Sequence, residues 1–374
     1  MCIAAVLIAG YCCAATPTLN PVQEGSRDKR DNAIRVILSR NTTDAAVQRE
    51  LSLNADTITD INLSRPELSA AGWKLLSDFK RTRKLNIALS DKLVDENLMF
   101  PRRFNELRSL TLFNCNKITG RFLTHGDHWQ ALNQFFVKGR SFDGQHLSGL
   151  QASSLTKLHL ESPLIRSQHL AAIGPLPKLT ELVVQNSPKL FGVDLRQFPN
   201  LRTLTIRNCG LRSQGLRGFK NHKHLRTLSL TDCEHLRRVP LTGAVALEAI
   251  DLSETQVGDD TVEQFDDLPA LQTITLRSCP RIKTVPCRQL TTLRQLDVSG
   301  SHLAKLPNID QAVQLERLDL ANLDSLSDRT ISNIKSLPKL RKLDVSNTEI
   351  TSDATRILED MKSTRKVKVY LTEK

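Results

Sequence analysis

Leu201-Arg-Thr-Leu-Thr-Ile-Arg-Asn-Cys209 decides the fold, because its pattern of apolar-x-x-apolar-x-apolar-x-x-Cys returns about every 22 to 25 residues through most of the 374-residue chain. Ser or Thr takes the last place in other copies. Clear units begin at Leu107, Leu155, Leu179, Leu201, Leu225, Leu247, Leu271, Leu293, Leu315 and Leu340, and weaker ones at Ile58, Thr82 and Leu132. A fixed period of this length means that each unit buries its apolar face only against its neighbours, so the chain stacks into a solenoid instead of closing around one core. The middle of each motif alternates apolar and polar, as in Leu228-Ser-Leu230 and Leu343-Asp-Val345. That period of two argues a short strand with one buried face, and stacked strands give one long parallel sheet. A further strand is expected at Val367-Lys-Val-Tyr-Leu371, with Val367 and Val369 in the inward places.

The repeat resembles the leucine-rich repeat family, and the tidy endings Leu252-Ser-Glu-Thr255 and Val345-Ser-Asn-Thr348 are similar to bacterial members with cysteine-containing-type repeats. The resemblance implies an α/β solenoid, an arc whose parallel sheet lines the concave side and whose convex side mixes short helices with extended segments. It also implies that the concave side binds protein. The longer units predict outer helices at Ser167–Ile173, Asp259–Phe265 and Ser352–Leu358, each opened by a residue suited to cap a helix. Units of 22 residues carry Val239-Pro240, Val285-Pro286 or Leu306-Pro307 instead. Proline lacks the N–H donor and biases the residue before it away from helix, so those units should be extended or hold one 3₁₀ turn.

Residues 1–15 are apolar throughout and the chain turns abruptly polar from Thr16 to Arg30, which reads as an export signal followed by a flexible linker. No basic residue precedes the apolar run. Either the true start lies upstream or the stretch is a disordered end and the protein is cytoplasmic. Residues 31–57 are expected to form a helical cap from Asp31–Leu38 and Asp44–Leu51, covering the first apolar layer of a repeat domain of 13 to 14 units over 58–374.

Cys115, Cys209, Cys233 and Cys279 share one repeat position with Ser187, Ser301, Thr255 and Thr348. A small side chain that donates a hydrogen bond suits the turn out of the strand, so these are expected to be buried free thiols. Cys209 and Cys233 stand in adjacent units, where a disulfide is the alternative. No thiol or histidine set has zinc spacing; His125 and His128, like His222 and His224, fall in inter-strand loops as expected surface residues. No metal or cofactor is expected. The chain carries no Gly-rich phosphate loop, no HExxH and no GxSxG, and the repeats leave no separate region for a catalytic domain. The expected function is therefore a non-catalytic scaffold or receptor, acting as a monomer. The rival is an inhibitor or accessory subunit that covers an enzyme's active site with the concave face.

The chain has 52 basic and 40 acidic residues, a net charge of +12. In the thirteen readable units the outward concave positions balance to zero, which places the excess on flanks, convex surface and ends, including Arg365-Lys-Val-Lys368. With only 4% aromatic residues the chain lacks the stacking platforms of a nucleic-acid groove, so a protein partner is expected, with an anionic envelope surface as the alternative that the net charge suggests. Phe113, Phe136, His159 and Val183 form one apolar diagonal on the concave lattice, with Arg207 and Arg277 further along. Exposed rings grouped on a polar surface are what an interface hot spot needs. The Leu132 unit is irregular, with Arg140 where Cys or Ser is expected, and a shifted register there would bury Phe136. The acidic row Asp251, Asp297, Asp319 and Asp344 is the second candidate, suited to a basic partner.

Overall fold

The computed structural model describes residues 34–38, 41–99, 106–124, 129–151, 153–324 and 326–372. The expected export signal and linker of residues 1–30, and His125 and His128, lie outside them. Fifteen strands pair in parallel and in chain order, so every connection leads to the next neighbour. They are β1 (Ile34–Leu38), β2 (Ile58–Ser64), β3 (Lys84–Ala88), β4 (Ser109–Phe113), β5 (Gln134–Lys138), β6 (Lys157–Glu161), β7 (Glu181–Ser187), β8 (Thr203–Cys209), β9 (Thr227–Thr231), β10 (Ala249–Asp251), β11 (Thr273–Thr275), β12 (Gln295–Asp297), β13 (Arg317–Asp319), β14 (Lys342–Asp344) and β15 (Lys368–Tyr370). The sheet is the concave layer of an open solenoid, and a small parallel pairing of 193–194 with 216–217 lies outside it.

Each unit supplies three inward residues from the motif to a single continuous core, as Leu201, Leu204 and Ile206 do with no surface left exposed. The core thus runs the length of the chain rather than closing around a centre, as nearest-neighbour stacking demands. The first strand corrects an expectation. Ile34–Leu38 was expected to be helical, yet it is a strand aligned with β2. Its Ile34, Val36 and Ile37 are β-branched and suit the pleat better than a helix. The second segment of the cap is helical, α1 (Asp44–Asn54).

On the convex side, α2 (Ala70–Leu76), α3 (Ser167–Ala172), α4 (Asp259–Val262), α5 (Asp328–Lys335) and α6 (Ser352–Thr364) alternate with extended and 3₁₀ segments. The proline-bearing units are extended, with one 3₁₀ turn at Ile309–Gln311. Ser167 and Asp259 do not cap their own helices. Ser167 Oγ accepts from the backbone N–H of Phe191 and Gly192, and Asp259 Oδ1 from Lys283 and Thr284, all in the next unit. Ser213 repeats the arrangement with Arg237 and Arg238. A side chain at the start of one outer segment therefore satisfies the otherwise orphaned amides of its neighbour, and that linkage holds consecutive units in register.

After the strand, one residue in most units takes a left-handed conformation and turns the chain outward: Arg65, Leu89, Asn114, Asn186, Asn208, Asp232, Glu254, Ser278, Asn322 and Asn347. Asn tolerates this backbone, whereas a large side chain pays for it. Leu89 has φ 56° and leaves 38% of its surface exposed, so it gains little burial in return. Leu89→Asn should raise stability by about 1 kcal/mol, the approximate penalty of a left-handed residue with a bulky Cβ substituent. Chemical denaturation followed by circular dichroism checks this, and a lower midpoint for the variant would refute it.

The ladder cysteines are buried, and all five described cysteines are free, including Cys209 and Cys233. Cys279 Sγ donates to Leu252 O at 3.1 Å and Cys209 Sγ to Arg207 O at 3.2 Å, while Thr348 Oγ1 donates to Leu320 O at 2.8 Å in the same place. Burial pushes the Cys115 and Cys209 thiols up to about 12, which leaves them protonated and able to donate. His222 corrects a second expectation. It is 1% exposed, with Nε2 2.9 Å from Leu195 O, a core histidine rather than a surface one.

Candidate functional site

Every concave strand presents outward side chains at alternate positions, and the pairing register lines them up from unit to unit. The Leu132 unit keeps that register despite Arg140: Phe135 is core, and Phe136 points out opposite Thr111 and His159. Phe113 points out from β4 opposite Lys138. The two rings are half-buried and stacked, with centroids 6.2 Å apart and planes 12° from parallel. The ring of His159 meets Phe136 edge-on at 5.8 Å, and Val183 follows beside His159. The sequence diagonal is thus a contiguous patch on four consecutive strands.

Charged side chains frame it in pairs. Lys138 Nζ lies 5.3 Å above the Phe113 ring and 2.8 Å from Glu161. Glu181 receives both Lys157 at 3.0 Å and His159 Nε2 at 2.6 Å. The bond from His159, then that from Lys157, hold the Glu181 carboxyl down at about 2, against an opposing push from burial. Glu181 was not singled out in the sequence; its signal is that it lies opposite Lys157 in the first outward column, one unit on. A carboxyl depressed from 4.5 to about 2 gives stability that is fully present above pH 4.5 and lost as pH falls toward 2. The thermal midpoints of the native chain and Glu181→Gln should accordingly differ most above pH 5 and converge near pH 2. A gap that stays constant through that range would sink this assignment.

The other predicted site residues are brought to the same face but are already engaged. Arg207 Nε donates to Asp232 at 2.9 Å, and Arg277 Nε to Asp297 at 2.6 Å, which raises the Arg277 guanidinium further above its ordinary value. In the acidic row, Asp251 Oδ1 accepts from Ser253 N and Oγ, Asp297 from Ser299 N and Oγ, Asp319 from Ala321 N, and Asp344 from Ser346 N and Oγ. Each aspartate ties down the backbone two residues on, at the point where the strand gives way to the left-handed turn. Burial raises the Asp251 and Asp319 carboxyls. The row is half-buried to fully buried, with Asp297 only 2% exposed.

The zero balance of the thirteen units leaves out the last strand: β15 adds Lys368, from the basic end expected at Arg365–Lys368, beside Lys342 and Arg317. The basic excess therefore reaches the concave sheet at its C-terminal end, around a cleft that also contains Tyr370.

No family model matches the chain and no curated protein matches it in sequence. Solved structures do match in fold. An internalin from Listeria monocytogenes aligns over 92% of this chain and 86% of its own length, at 15% identity and a TM-score of 0.58. A leucine-rich repeat protein of Leptospira interrogans aligns over 93% of this chain and its whole length, at 17% identity and a TM-score of 0.58. The TLR13–ssRNA13 complex aligns over 83% of this chain and 51% of the matched chain, at 20% identity and a TM-score of 0.56. Likeness at such identities speaks to architecture alone, and on that architecture, with the repeat and its register, the chain is built as a leucine-rich repeat solenoid.

Proposed function

We propose that this chain is a non-catalytic scaffold that seats a protein partner on the patch of Phe113, Phe136, His159 and Val183. One observation carries the proposal: two stacked phenylalanine rings stand half-exposed on a concave lattice whose other outward positions are mostly polar or charged. Removing such rings from water on docking supplies much of an interface's free energy. A relative in fold occurs in complex with RNA. The cations beside this patch favour protein instead, since Lys138 and Lys157 are neutralised by Glu161 and Glu181 and leave little net positive charge for phosphates. Export is proposed from the apolar opening of residues 1–15, with the mature N-terminus read by mass spectrometry as its test. Among the described residues, no helix is long and apolar enough to cross a membrane.

The test compares proteins cross-linked to the native chain with those cross-linked to Phe113→Ala and Phe136→Ala. Each substitution should weaken a genuine partner by about 2 kcal/mol, near 30-fold, and leave the thermal midpoint almost unchanged. Partners that both variants retain at native affinity would refute the site. Retention of single-stranded RNA that is lost with either ring would move the site to nucleic acid.

A further inference from the structure

Two charge arrangements occur in the first outward column of the sheet. Toward its start and middle, a cation there has a carboxylate in the neighbouring unit: Lys84 with Asp60 at 3.8 Å, and Lys157 with Glu181 at 3.0 Å. At the C-terminal end this alternation stops. Arg317, Lys342 and Lys368 occupy matched positions on β13, β14 and β15, successive strands about 5 Å apart. Arg341 and Lys366 line the same cleft, whose volume is about 600 Å³. Its one carboxylate, Glu316, is held at 3.0 Å by Arg294. None of the five cations forms an ion pair with a described residue. Lys342 Nζ lies over the Tyr370 ring at 4.9 Å.

Like charges directly opposite one another across strands repel; Asp319, on the same face and attracted by Lys342, offsets this in part, and an anion joining the five cations would relieve the rest. We propose that the cleft binds a compact, multiply charged phosphoryl group. The forks of Arg317 and Arg341 suit bidentate contacts to phosphate oxygens, and the lysines add point charges around them. A cleft of this size holds a small ligand rather than a polymer strand, and linked phosphates bring more charge into that volume than the single carboxylates of an acidic peptide. The site lies at the far end of the sheet from Phe113 and Phe136, and its fate is independent of theirs.

Isothermal titration of the full chain with inorganic tripolyphosphate at physiological salt tests this. One-to-one binding is expected, weakened about tenfold or more by Arg317→Gln or Lys342→Gln, the loss of one charge-assisted contact. Arg238→Gln, which removes an exposed cation paired with Asp260, should leave binding unchanged. Without ligand, Lys342→Gln should raise the thermal midpoint by relieving repulsion; with saturating tripolyphosphate the order should reverse. Phosphatidylglycerol vesicles separate the sources. Retention that needs Lys342 assigns the phosphate to a lipid headgroup, and tripolyphosphate binding without retention assigns it to a soluble ligand. No binding, equal competition by hexaglutamate, or equal loss in Arg238→Gln would overturn the proposal.

Discussion

Asp95→Ala is expected to cost about 4 kcal/mol and to uncouple the N-terminal units from the rest of the solenoid. Asp95 is 5% exposed and accepts four hydrogen bonds from the next unit: Thr119 N at 2.8 Å, Thr119 Oγ1 at 2.9 Å, Gly120 N at 3.0 Å and Phe122 N at 3.2 Å. It is the most heavily used member of the series to which Ser167, Ser213 and Asp259 belong. Truncation leaves three backbone amides without an acceptor, two of them in fully buried bonds, and each stranded donor costs about 1 to 3 kcal/mol before water rearranges. Asp95→Asn should cost about half as much, because one carbonyl oxygen remains while the amide opposes donors with donors. In a solenoid stability is a sum of units and interfaces, so the loss should appear locally. Hydrogen exchange at 119–122 should accelerate strongly while the units beyond β8 keep native protection. Unchanged exchange at those amides would show that the linkage carries no such energy.

Much of this architecture was legible because one motif forces it. Leu201, Leu204 and Ile206 recur with a period that admits only stacking, and alternation within the motif sets which side chains face out, down to Phe136 in the irregular unit. What the sequence concealed are relations between units. Ser167 and Asp259 look like helix caps because a hydroxyl or carboxylate at a helix start has the same signature whether it serves its own helix or the neighbour's amides. Asp31–Leu38 carries spacing compatible with a short helix, and pairing of Ile34–Leu38 with β2 decides for a strand over those five residues. The patch was visible as residue types at outward positions, whereas the anchoring of His159 by Glu181 depends on register across two strands. Charge totals hide place for a related reason: summing signs takes no account of where along the sheet each charge stands. Asp297 cancels Lys342 in a count but not in space.

That inward-turned row gives the second large effect. Asp297→Ala should destabilise the C-terminal half by about 3 kcal/mol instead of weakening a basic partner. The carboxylate is 2% exposed and bonds Arg277 Nε at 2.6 Å, Ser299 Oγ at 2.7 Å and Ser299 N at 3.1 Å. Breaking a buried ion pair commonly costs about 3 to 5 kcal/mol because the remaining charge is stranded. Here the Arg277 side chain is 58% exposed and can return to water, which sets the expectation at the lower end of that range. The Ser299 amide, which closes the turn that leads into left-handed Gly300, is only part-buried but loses the acceptor that shapes that turn. Asp319→Ala should cost less: it accepts one bond, from Ala321 N at 3.2 Å, and its burial already raises its carboxyl. Urea denaturation of both variants, read by circular dichroism and by exchange at 299–301, orders them. If Asp297→Ala and Asp319→Ala proved equally mild, the row would be free to serve a ligand; a steep cost at Asp297 alone makes it part of the turn that shapes the concave face.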